Sequence, residues 1–161
     1  MPDPAAPSRT WLLPSEHHTA SLARALASIL KPGDLLLLSG ELGAGKTTFV
    51  RALAAALNHD PREVSSPTFV LAHEYTAPDA TTLIHIDAYR LSADDDEALL
   101  GWDELLRADA IAAIEWPERI PEDWLPTDHF RILIEHIAPT ERRITITPPR
   151  STPHRIPVYP D

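Results

Sequence analysis

Apolar positions along the chain fall into two rhythms. Behind Ser15, a candidate helix N-cap, Leu22, Leu26 and Ile29 recur at helical spacing, and "KPGD" at 31–34 stops that helix. Leu35 to Leu38 then form an unbroken apolar run, which predicts a short strand buried on both faces. Phe49, Leu53 and Leu57 mark one face of a second helix, and "VSSPTF" at 64–69 breaks its pattern. Residues 69–75 and 82–88 read as strands. Ser92 and Asp95 make a capping-box-like pair ahead of a helix over about 94–107. "AIAAIEW" at 110–116 is a further buried strand. "FRILIEHI" and "RRITIT" alternate, as the arms of a terminal hairpin would. Helices interleaved with strands early and a hairpin late predict an α/β fold: a mostly parallel sheet flanked by helices, with the antiparallel C-terminal hairpin at one edge.

The ends fall outside this rhythm. Residues 1–8 and the proline-dense stretch 148–161 read as loose ends, because proline removes backbone donors and blocks regular pairing. Residues 9–147 form the folded unit, and a chain of 161 residues is one domain by length. No apolar run approaches the roughly 20 residues of a membrane span. The N-terminus lacks the basic and apolar segments of a signal peptide. With no cysteine, disulfides and thiolate zinc sites are excluded. These features suit the cytoplasm. A formal net charge of -10 repels phosphate backbones, so work on RNA would go through a partner or one small patch.

Glycine changes the picture from fold to chemistry. The chain has 5 glycines, and Gly40, Gly43 and Gly45 all fall in "SGELGAGKTTF", between the first apolar run and the second helix. Gly40-x-x-x-x-Gly45-Lys46-Thr47 matches the phosphate-loop pattern at a strand-to-helix junction. Glycines let backbone N–H groups approach an anion, and the helix that follows turns its positive end to the same place. Lys46 would reach the β- and γ-phosphates, and the Thr47 hydroxyl would ligate Mg²⁺. The expected unit is therefore a single P-loop NTPase-like domain. Asn58 is the sole asparagine and precedes His59, so the guanine-reading Asn-Lys-x-Asp motif is absent and ATP is favoured. The chain has no glutamine either, so a carboxylate must orient any attacking water, or a partner must help. Two carboxylates end predicted strands at the edge where open α/β sheets bind ligands: Asp87, which shares a strand face with His85 and Tyr89, and Glu115. Each could hold the metal or its waters, or could cap a helix or meet an arginine. "SSPTF" lies where many nucleotide switches carry a hydroxyl, and it also reads as a simple turn. "DDDE" at 94–97 reads as an acidic helix start, or as a docking patch.

Taken together, "GELGAGKTTF", "SSPTFVL…EY", "HIDAYRL", "GWDELL" and "IEWPER", in this order and spacing, resemble the bacterial TsaE (YjeE) family over about residues 12–147. The resemblance implies a small P-loop ATPase acting with TsaB- and TsaD-like partners to place threonylcarbamoyl on adenosine 37 of tRNAs that read codons beginning with A. It implies tRNA contact only through the complex, and no membrane association. By the same resemblance the ATP site comprises Glu41, Leu42, Gly43, Ala44, Gly45, Lys46, Thr47 and Thr48, with Trp116 beside the nucleotide. Thr47 and Glu115 are its metal ligands, Asp87 its motif aspartate and Thr68 its switch threonine. Ser15 and Arg142 are expected near the base. Two other classes remain open: a small-molecule P-loop kinase, against which stands the lack of an arginine-rich lid after residue 100, and a nucleotide-gated binding module that does not hydrolyse.

Overall fold

A computed structural model describes residues 7–65, 72–91 and 101–160. Among these residues seven strands form one sheet in the order β1-β7-β6-β2-β5-β4-β3. The strands are β1 (Arg9–Leu13), β2 (Leu35–Ser39), β3 (Ala72–Thr76), β4 (Thr82–Asp87), β5 (Ile111–Glu115), β6 (Phe130–His136) and β7 (Arg142–Thr147). The helices are α1 (Glu16–Ala27), α2 (Lys46–Ala56) and the single turn α3 (Trp102–Leu105). Strands β6, β2, β5 and β4 run parallel in the centre. Antiparallel pairings close both sides, β3 on β4 at one and β7 with β1 at the other. The expected hairpin is present, but β1 lies outside it and forms the edge.

The central strands show why an unbroken apolar run suits a two-sided core. Along β2, Leu36 and Leu38 face a cluster that includes Leu22, Leu26, Phe49 and Leu53 from α1 and α2. Leu35 and Leu37 face a second cluster with Ile84, Ile86, Ile114 and Trp102. Burying each such side chain stabilises by about 1.5–3 kcal/mol. The helix faces predicted from Leu22–Leu26 and Phe49–Leu53 are the faces that meet this first cluster. The strand expected over 69–75 is seen as Ala72–Thr76, residues 66–71 lying outside the described residues. The capping pair Ser92 and Asp95, and the acidic run 94–97, lie outside them as well. No helix among the described residues is long and apolar enough to cross a membrane.

At the N-terminal end the structure adds a strand, β1, which opens the folded unit with Trp11 and Leu13 turned inward between exposed Thr10 and Leu12. One expectation, at the other end, needs correction. The C-terminal stretch does not float free. Arg155 donates from both terminal nitrogens to Asp34, at 2.9 and 2.6 Å, and also to the Ile29 carbonyl. Ile156 and Tyr159 pack on the first cluster. Ser151 donates its backbone N–H to Asp128 at 3.0 Å. Proline prevents this stretch from joining the sheet but does not prevent docking through side chains.

Candidate functional site

The glycine loop joins β2 to α2 at the C-terminal edge of the parallel strands. Gly45 occupies the left-handed region, with φ 110°, and its carbonyl accepts the first helical hydrogen bond from the Phe49 N–H at 2.9 Å. Gly40 is required by space: a Cβ there would collide with the backbone carbonyl of Ile134 on β6. Glu41, Leu42 and Gly43 form the exposed outer bend. Leu42 is 76% exposed, so it packs no core. Ala44 is buried, and Thr48 lines a cavity. The loop is thus held at Gly40 and Gly45 and open between them, with the start of α2 pointing into the opening.

Lys46 folds back over this opening. Its Nζ donates to the carbonyls of Gly40 and Glu41, at 2.6 and 2.9 Å. It also lies 3.9 Å from the ring centroid of Trp116, close enough for a cation–π attraction. Burial pushes the Lys46 ammonium below the usual lysine range, and the charges of Glu115, Glu118 and Asp87 oppose that push. Trp116 has φ 59°, unusual for a bulky residue. Its N–H donates to the Leu38 carbonyl at 3.2 Å, continuing the β2–β5 pairing by one residue. Its ring tilts against Tyr89 at 4.9 Å.

Beneath the lysine lies a buried polar chain. The Thr47 hydroxyl donates to Glu115, 2.8 Å from Oε1 and 3.1 Å from Oε2. His85 Nε2 is 2.7 Å from the same Oε1. His85 and Glu115 are buried, with relative exposures of 0% and 3%. Parallel pairing sets Asp87 beside Glu115 and His85 beside Ala113, so the three polar side chains rise on one face at the strand ends. Asp87 is only half-buried and accepts the Tyr89 N–H at 3.0 Å. The donor set around Glu115 consists of hard oxygens, from a carboxylate and a hydroxyl, which suits Mg²⁺. Among the described residues no three His, Asp or Glu side chains form a metal-holding group. A divalent ion here would draw further ligands from phosphate and water.

On the other side of the loop is a cavity of about 140 Å³ between α1, α2 and the β6–β7 turn. Arg142 forms part of its wall and donates to the Ala44 carbonyl at 2.7 Å, which ties the hairpin to the glycine loop. Ser15 is not on the wall. It occupies the N-cap position of α1 without a side-chain capping bond, its hydroxyl 2.8 Å from His18 Nδ1, and the neighbouring Glu16 and Thr19 line the cavity instead. Glu16, Thr19, Pro139 and Thr140 are wall residues that sequence reasoning missed. Thr19 lies one helical turn beyond Ser15, a spacing that could have pointed to it. The sequence placed His85 on the Asp87 face but did not identify Glu115 as its partner. Thr68 lies outside the described residues.

Comparison with known proteins finds relatives of this chain in sequence and in fold. The family model described as "Threonylcarbamoyl adenosine biosynthesis protein TsaE" matches residues 13–144. A Bacillus subtilis protein named tRNA threonylcarbamoyladenosine biosynthesis protein TsaE is 38% identical over 137 residues, covering 85% of this chain and 84% of its own length. Namesakes from Aquifex aeolicus and Streptomyces coelicolor are 46% and 42% identical, covering 67% and 78% of this chain and 76% and 87% of their own. The crystal structure of Bacillus subtilis YdiB superposes with a TM-score of 0.74 at 31% identity, covering 93% of this chain and 91% of that one.

Proposed function

This chain belongs to the TsaE family, and from that premise we propose that it binds ATP with Mg²⁺ in the glycine loop and hydrolyses it in support of threonylcarbamoylation of tRNA adenosine 37. TsaB- and TsaD-like proteins are its proposed partners, and it meets tRNA through them. The observation that carries the reading is the convergence of Lys46, Thr47 and Glu115 under one phosphate-loop backbone. The Thr47 hydroxyl and the Glu115 carboxylate fit a Mg²⁺ site by donor chemistry. The ion, when bound, would offset charge on the β- and γ-phosphates.

The chain's own residues divide the rest of the work. The loop N–H groups and the α2 N-terminus receive phosphate oxygens. Lys46 exchanges its two carbonyl acceptors for phosphate, to which its charge is better matched. Asp87, half-buried beside Glu115, is the carboxylate placed to orient water at the γ-phosphate. Trp116 and Tyr89 cover the lysine side. The cavity walled by Arg142, Glu16 and Thr19 is the place for the base. Without a glutamine, the isolated chain is a slow ATPase. A cation supplied in trans can add about 10³–10⁵ in rate.

The test is ATP turnover by the purified chain, alone and with its TsaB- and TsaD-like partners. Slow turnover alone and marked acceleration by the pair is the expected result. Rapid hydrolysis indifferent to the partners, or transfer of the γ-phosphate to a small acceptor, would overturn the reading in favour of a kinase.

A further inference from the structure

His85 has no part in the reading above, yet it is the most enclosed polar side chain at the site. It is 0% exposed, Nε2 meets Glu115 Oε1 at 2.7 Å, and Nδ1 is buried with no hydrogen-bond partner among the described residues. These facts fix the tautomer. A buried N–H without an acceptor is rare and costly, whereas an unused lone pair is better tolerated. The proton therefore sits on Nε2 and is donated to Glu115, and Nδ1 carries none. Oε1 then accepts from His85 at 2.7 Å and from Thr47 at 2.8 Å, while Oε2 receives only the longer arm of the Thr47 bond, at 3.1 Å.

We propose that His85 is a positioning residue: it clamps Oε1 of Glu115 so that Oε2 is the oxygen presented to Mg²⁺. The inference rests on the reading of Glu115 as a metal ligand. The fold makes the clamp rigid. His85 sits on β4 and Glu115 on the adjacent β5, and the parallel register leaves the two side chains on one face, two residues apart along the strands. No loop movement is needed to bring them together, and the pair is almost wholly shielded, His85 at 0% and Glu115 at 3% exposure. A flexible carboxylate would lose rotamer freedom each time a metal arrived. One already held by a strand neighbour has lost it on folding, which is how partners behind a ligand sharpen a metal site.

The test compares three substitutions with the wild-type chain. His85→Phe keeps a ring but removes the donor. His85→Gln places an amide N–H about where Nε2 stands, and His85→Asn places one about where Nδ1 stands. Thermal melts identify the folded variants. Calorimetric titration with ATP, at stepped Mg²⁺ and in EDTA, measures the metal requirement apart from turnover. Phe and Asn should raise the Mg²⁺ concentration for half-maximal tightening of ATP binding by roughly 10-fold or more. Affinity in EDTA should be unchanged, and Gln should restore most of the requirement. If Phe does not fold, Gln against Asn carries the same contrast, and an equal requirement in the two would overturn the inference. An unchanged requirement in folded His85→Phe would overturn it too. A separate readout needs no nucleotide: ring ¹⁵N spectra of the free wild-type protein should show the Nε2–H tautomer. The Nδ1–H tautomer would overturn the clamp whatever ATP does. Failure of wild-type protein to bind ATP would instead overturn the ATPase reading, and the ring spectra would still decide whether His85 donates to Glu115.

Discussion

Two buried carboxylates stand at opposite ends of the parallel strands, one at their N-terminal edge and one at their C-terminal edge, and are treated in opposite ways. Asp34, just before β2, is 8% exposed and saturated. It accepts two bonds from Arg155 and a backbone N–H from Lys31 at 2.7 Å. The guanidinium is raised in pKa by this hydrogen bonding to Asp34 and lies 5.1 Å from the Phe130 ring centroid. Glu115, at the end of β5, is more deeply buried and, among the described residues, hydrogen-bonds only with a hydroxyl and an imidazole. Lys46 acts on it through space but spends its hydrogen bonds on loop carbonyls. A buried charge is costly unless it is paired. One edge has met that cost within the chain. The other leaves it open, and on the proposed function a Mg²⁺ ion would complete the pairing. The lesson is that burial alone does not mark a functional acid; burial without a hydrogen-bonded cation does.

Removing the cation from the paired edge should have the largest effect. Arg155→Ala leaves Asp34 buried with only one backbone donor, and breaking such a pair costs about 3–5 kcal/mol. Urea unfolding should register that loss, while ATP affinity, read at the far edge, stays at the wild-type value. A variant that kept its stability would show that the tail contributes nothing, and the contrast between the edges would collapse.

The complementary change at the open edge is Glu115→Gln. It removes charge but keeps an oxygen for Thr47 and His85, so stability should stay within about 1 kcal/mol of wild type. Turnover with the partner pair should fall by about 10²–10³, the usual cost of losing one fixed electrostatic group. Unfolding curves and single-turnover assays on one preparation separate the two quantities. If Glu115→Gln destabilised as much as Arg155→Ala, Glu115 would be a structural acid like Asp34.

Lys46→Ala tests the other half of the open edge. The lysine belongs to neither hydrophobic cluster, and the two carbonyls it releases lie beside the exposed bend of the loop. Calorimetry should therefore record ATP affinity falling by about 100-fold, the worth of one strong charged contact, with the melting temperature little changed. Unchanged affinity would show that the loop does not hold the phosphates.

How far the sequence reveals this arrangement depends on range. The glycine loop and β2 are local patterns, and both stand where the spacing of Gly40, Gly45 and Leu35–Leu38 puts them. The ends of β4 and β5 are local as well, and so Asp87 and Glu115 could be named. Pairings between distant segments were not legible. Arg155 and Asp34 lie 121 positions apart, and a proline-rich stretch carries no periodicity that would announce a docked guanidinium. β1 joins the sheet only through β7, with paired residues 129 to 137 positions apart, and five residues are too few to fix an alternation. Ser15 was placed at its cap, but which α1 residues wall the cavity depends on how that helix rolls against α2 and the β6–β7 turn.

A third buried ionisable group sharpens the comparison with the smallest effect. His59, just beyond α2, is 6% exposed, and its Nε2 has no hydrogen-bond partner among the described residues. It belongs to neither edge. Burial lowers its pKa below the usual histidine value, and the nearby charges of Asp79 and Glu63 only partly oppose this. By the reasoning applied to Asp34 and Glu115, an unpaired buried group with no ligand to await should fold neutral. The sign follows from linkage. With the folded pKa below the unfolded one, the unfolded chain binds more protons between the two values. The contribution of His59 is therefore complete above the ordinary histidine range and is lost as pH falls through it, until the folded pKa is passed. One proton limits the slope to about 1.4 kcal/mol per pH unit. His59→Phe keeps the edge-on contact with Tyr75 and removes the titration. Urea unfolding of both proteins from pH 5 to 8 isolates the term from the other histidines. The stability of wild type minus variant should be flat at the alkaline end and decline toward the acid end. A difference that rose with acidity would mean that Asp79 or Glu63 pairs with a charged His59, making it a paired group of the Asp34 kind.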